Sequence, residues 1–119
     1  MWAGRPGPEW SDGKILGLFE GIAKYCYTRL SVKQPQNITI RRLPVIADLV
    51  ANLYGVHCAI RYRRIIYIKL SPLGGPRYTW RFLFTVLAHE LAHVEGWNHC
   101  KKFRARMRKV SKLIREVVA

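Results

Sequence analysis

Apolar and polar positions along this chain follow two periods, and the switches between them divide it into elements. Ile15, Leu18, Phe19, Ile22, Cys26 and Leu30 recur every three or four positions, the spacing that gathers side chains on one face of an α-helix. This predicts an amphipathic helix from Lys14, capped by Ser11 or Asp12. Upstream, Gly4, Pro6, Gly7, Pro8 and Gly13 break regular structure, so residues 1–13 are expected to form a flexible arm that Trp2 and Trp10 can pin down.

After a polar connector at 33–37, Ile38-Thr39-Ile40-Arg41 alternates as a strand does. Pro44 suits the first turn of a short helix whose apolar face is Ile46, Leu49, Val50 and Leu53, ended by Gly55. Val56–Tyr62 and Ile65–Leu70 are rich in β-formers and predict a hairpin turning at Arg63-Arg64. Residues 71–76, with two prolines and two glycines, are a loop. From near Thr79, a run including Trp80, Phe82, Leu83, Phe84, Val86, Leu87, Leu91 and Ala92 is apolar on nearly every side, the mark of a buried helix. A last helix repeats Phe103, Met107, Val110, Ile114 and Val117 on one stripe. The expected class is α+β: N-terminal helices, a small three-stranded sheet or hairpin, a buried helix and a C-terminal closing helix, in one domain over residues 14–119.

The buried helix carries the chemistry. His89 and His93 lie four apart, so both imidazoles face one side and can hold a common ion at about 2.0–2.1 Å. Glu90 lies about 100° round the helix, placed to act as general base on a water at that ion. A catalytic zinc takes three protein ligands and leaves one position open. His99 is the candidate third ligand, because Gly96 lets the helix end and the chain turn back, with Asn98 as cap of the next helix. His99 also falls within about 40° of Phe103 round that helix, so the face that packs is the face that turns His99 inward.

Charge changes the picture of partners. Lys and Arg number 21 against 7 Asp and Glu in 119 residues, a formal charge of +14. That excess points to a polyanion, nucleic acid first and an anionic membrane surface second. On the last helix Lys101, Lys102, Arg104, Arg106, Arg108, Lys109, Lys112 and Arg115 form a basic ridge opposite the apolar stripe. Cys26, Cys58 and Cys100 have no Cys-x-x-Cys spacing, which argues against a disulfide framework and against a zinc ribbon. Cys100, beside His99, is the thiol placed to compete for metal. The longest largely apolar run, Phe82–Ala88, is too short to span a bilayer, and the first residues lack a signal-peptide stretch. A soluble, cytoplasmic monomer is expected.

His89-Glu90-x-x-His93 followed by Asn98-His99-x-x-x-Phe103 resembles the SprT-like and YgjP-like zinc metallopeptidases. The resemblance implies a minimal zincin fold, zinc on His89, His93 and His99, Glu90 as catalytic acid/base, and hydrolysis of protein or peptide substrates. For the SprT-like branch it also implies substrates trapped on DNA. Cys100 and Lys101 stand where that family has small residues. The stretch from His89 to His99 also fits the metzincin pattern, but Met107 lies on the closing helix and not in a methionine turn. A gluzincin-type third ligand would be Glu116, about 140° from the Phe103 stripe. His57, Tyr67 and Tyr78 are the candidate oxyanion donors, and the Ile65–Leu70 strand is expected to take an extended substrate by strand addition. The competing readings are a basic nucleic-acid-binding protein with a structural or vestigial zinc, and a metal hydrolase with a non-peptide substrate.

Overall fold

The structure, a computed structural model, describes residues 2–43, 54–60, 63–72, 74–95 and 101–119. Its elements run α1 (Asp12–Arg29), β1 (Ile38–Arg42), β2 (Gly55–Ile60), β3 (Arg63–Ile68), α2 (Trp80–Ala92) with a 3-10 turn at His93–Glu95, and α3 (Lys101–Val118). The described residues form an α+β fold of three α-helices and one small sheet. The short helix expected from Pro44 to Leu53 lies outside the described residues.

Local chemistry sets the helix starts. Ser11 accepts a hydrogen bond from the Lys14 amide and Thr79 accepts one from the Phe82 amide, each satisfying an amide that has no partner within its helix. The start of α1 is tied further by Asp12, which accepts from Arg77 at 2.7 Å.

The sheet order is β1-β3-β2, with β1 parallel and β2 antiparallel to β3. Ile60 pairs with Arg63, so Arg63-Arg64 belong to β3 and not to the turn, which corrects the expected turn position. Gly55 opens β2. β3 is the central strand, hydrogen-bonded on both sides. It has no free edge for strand addition, which corrects the expected substrate strand.

Ile38 and Ile40 of β1, Ile66 and Ile68 of β3 and His57 of β2 are buried. The isoleucines share one core with Phe19, Ile22 and Cys26 of α1, Leu83, Leu87 and Leu91 of α2, and Val110 and Ile114 of α3. α1 packs on β1, α2 on β2 and β3, and α3 closes over α2. On α3 the apolar stripe is shorter than expected: Phe103, Val110 and Ile114 are buried while Val117 is 41% exposed. At the end of the stripe Val118 meets Trp2, whose indole Nε1 donates to the Val118 carbonyl at 2.7 Å.

Residues 2–10, expected as a flexible arm, lie against the start of α2. Trp2 packs edge-on to Trp80 and Phe84, and Trp10 packs edge-on to Trp80. The Trp80 amide donates to the Gly4 carbonyl at 2.9 Å. Two tryptophans thus offset the helix- and strand-breaking residues between them. Among the described residues no helix is long and apolar enough to cross a membrane.

Candidate metal centre

α2 brings His89 and His93 together at its C-terminal end. The Nε2 atoms stand 3.3 Å apart, with the rings at 78° to each other. Two nitrogens sharing a tetrahedral zinc at about 2.0–2.1 Å would stand about 3.3–3.4 Å apart, so the pair fits one edge of such a site. Phe103 of α3 packs against both rings, with centroids 5.1 Å from His89 and 4.6 Å from His93. That contact holds the imidazoles and carries out the packing role expected of Phe103.

Glu90 points to the neighbouring side, where β2 begins. A Cβ built on Gly55 would lie 2.7 Å from Glu90 Oε2 and 2.9 Å from its Cγ. A side chain at this position would force the Glu90 side chain to shift. Burial pushes the Glu90 carboxyl up to about 7 from 4.5, because the charged form loses its water. A carboxylate poised near neutrality suits proton transfer in both directions.

Glu90, His89, Gly55, Phe82, Thr85, Val86, Met107 and Tyr54 line one cleft of about 320 Å³. Tyr54 escaped the sequence reading, since it sits just before a glycine taken as a helix end. No sequence signal marks it, because its place in the cleft comes from β2 packing on α2.

His57 reaches the same helix from behind. Its Nδ1 lies 2.8 Å from the Glu90 carbonyl oxygen, and since a carbonyl only accepts, Nδ1 carries the proton. Arg64 approaches the other nitrogen, Nε2, at 3.5 Å. Burial, with smaller contributions from Arg64 and His93, holds the His57 pKa below its ordinary value. His57 is therefore a neutral buttress of α2 and not the expected oxyanion donor. Tyr78 packs on Phe82 and Tyr54, and neither Tyr67 nor Tyr78 lines the cleft.

Among the described residues no third His, Cys, Asp or Glu joins His89 and His93. The expected third ligand His99, with Gly96, Asn98 and Cys100, lies outside the described residues. Glu116 is exposed, and thirteen positions of helix separate it from Phe103, about 20 Å along the axis. It cannot reach the histidine pair.

The ridge residues Lys101, Lys102, Arg104, Arg108, Lys109, Lys112 and Arg115 are all exposed. Arg106 departs from the ridge: it is half-buried and its Nε donates to the Ala92 carbonyl at 3.0 Å. The guanidinium satisfies a carbonyl left open at the end of α2. No protein-family model matches this chain, and no curated protein or solved structure matches it.

Proposed function

We propose that this protein is a zinc-dependent metalloendopeptidase of minimal zincin-like form that acts, as a monomer inside the cell, on proteins associated with DNA. The observation that carries this reading is the 3.3 Å Nε2 pair of His89 and His93, with His89 and the buried Glu90 carboxylate lining one cleft. His99 completes the ligand set. The ion, when bound, would act as a Lewis acid on the scissile carbonyl and on water. Glu90 takes the proton from the attacking water and returns it to the leaving amine, a cycle for which a group titrating near neutrality is suited. β2 is an edge strand whose first residue lines the cleft. An extended substrate pairs there, main chain to main chain.

The DNA part of the proposal rests on the net charge and the exposed α3 ridge. The same features favour a second reading, a basic nucleic-acid-binding protein with a structural or vestigial zinc. Glu90 separates the two, since a structural site has no use for a buried acid. The test is cleavage of an unfolded protein, with and without DNA. Chelator-sensitive cleavage that drops at least about a hundredfold in Glu90→Gln is expected. Equal cleavage by wild type and Glu90→Gln contradicts the mechanism, and no cleavage by wild type favours the binding protein.

A further inference from the structure

Two further hollows lie beside the cleft, one on α3 and one between α2 and α3. One is lined by Arg104, Met107, Arg108, Ser111 and Arg115, and the next by Trp2, Arg81, Phe84, Thr85, Ser111, Ile114, Arg115 and Val118. Met107 and Thr85 are shared with the cleft that holds His89 and Glu90, while Ser111 and Arg115 are shared by the two hollows. Shared walls make one groove of the three. Each of the two outer hollows holds about 500 Å³.

The groove has an apolar floor and an arginine rim. Phe84, Ile114 and Met107 contribute the floor, and among the described residues no acidic one lines either outer hollow. Arg81, Arg104, Arg108 and Arg115 are exposed, and among the described residues none of the four has an ion pair or side-chain hydrogen bond. On α3 the three arginines fall within an arc of about 40°, whereas Lys101, Lys102, Lys109 and Lys112 occupy a different arc, centred about 90° away. The arginines therefore border the groove, and the lysines continue round the helix from them, beginning about 20° beyond Arg108 with Lys101. Planar guanidinium forks recognise carboxylates in pairs of hydrogen bonds.

We propose that this groove selects acidic segments of unfolded polypeptide substrates, holding Asp and Glu side chains on the arginine rim while apolar neighbours lie on the floor. The proposal rests on the metallopeptidase reading, because continuity with the cleft is what makes the occupant the substrate itself. Its reach is fixed by the helix. Arg81 lies eight positions before His89, about 12 Å along the axis, which an extended chain covers in about four residues. The acidic preference falls about four residues from the scissile bond.

Two measurements test this. In the first, Glu90→Gln protein is titrated with a fluorescent unfolded peptide carrying an apolar residue and three glutamates, and with the same peptide carrying glutamines. The glutamate peptide is expected to bind about tenfold tighter, and the preference is expected to fall below about twofold in protein that also carries Arg81→Gln and Arg115→Gln, with its melting temperature unchanged. In the second, wild type cleaves a peptide library varied on both sides of the scissile bond. Acidic residues enriched about four positions away on one side support the groove. Groove-dependent binding without any cleavage leaves the groove standing and removes the peptidase reading. Cleavage without acidic preference, or a preference untouched by the two substitutions, overturns the groove alone. Loss of DNA affinity in the substituted protein with peptide selection intact would make the groove a nucleic-acid track and also overturn it.

Discussion

Gly55 and Glu90 approach so closely that a methyl group on Gly55 would lie 2.7 Å from the Glu90 carboxylate oxygen. The first residue of β2 thus sets the position of the proposed general base on α2, 35 positions later in the chain.

Gly55→Ala is expected to keep the protein folded and its metal bound while lowering peptidase activity by at least about tenfold, because Glu90 Cγ, at 2.9 Å from the new methyl, must also move. Metal content and kcat/KM on one unfolded substrate check it. Full activity in Gly55→Ala would mean that the position of Glu90 does not matter to the reaction.

Burial of Glu90 makes metal-free stability depend on pH. Its folded pKa, about 7, lies above the ordinary 4.5, so the folded state binds this proton more tightly than the unfolded state does. The stability it contributes is complete below about pH 4.5 and is lost as pH rises through about 7, up to about 3 kcal/mol. His57 works in the opposite sense: its depressed pKa costs stability as pH falls below the ordinary histidine value. Comparing wild type with Glu90→Gln removes the His57 contribution. In chelator, urea unfolding is expected to show wild type losing stability relative to Glu90→Gln between pH 5 and pH 8. A constant difference across that range contradicts the burial argument.

DNA binding is expected to be weakly sequence-specific and to run through phosphates, with log K falling against log salt by about 0.9 per neutralised phosphate of duplex. The lysine arc of α3 continues round the helix from the groove's arginines and is the surface open to a duplex. Replacing Lys101, Lys109 and Lys112 by Gln should weaken binding and flatten the salt slope, with metal content unchanged. Titrations at several salt concentrations decide it. An unchanged slope would move the contact to Arg41 and Arg63, which are exposed at the sheet.

The helices were legible because their signals are local. Ser11, one of the two expected caps, caps α1, and α2 starts next to Thr79 as expected, and the three-to-four spacing of Ile15, Phe19 and Ile22 or of Phe103, Val110 and Ile114 matches burial. The pairing of His89 with His93 follows from the same period. What the sequence did not reveal depends on contacts between distant segments. The Arg63-Arg64 pair separates two runs of β-formers and so reads as a turn, but pairing with β2 places both inside the central strand. Tyr54 at the cleft, the His57 bond to the Glu90 carbonyl and the Arg106 bond to Ala92 all join residues whose neighbours in sequence give no hint of the partner.

The most direct measurement is the zinc content of the purified protein and of His93→Ala and His99→Ala. About one zinc per chain in wild type, lost in His93→Ala and weakened or lost in His99→Ala, is the result this account predicts. Wild type that binds no zinc, or His93→Ala that binds it with full affinity, would contradict it.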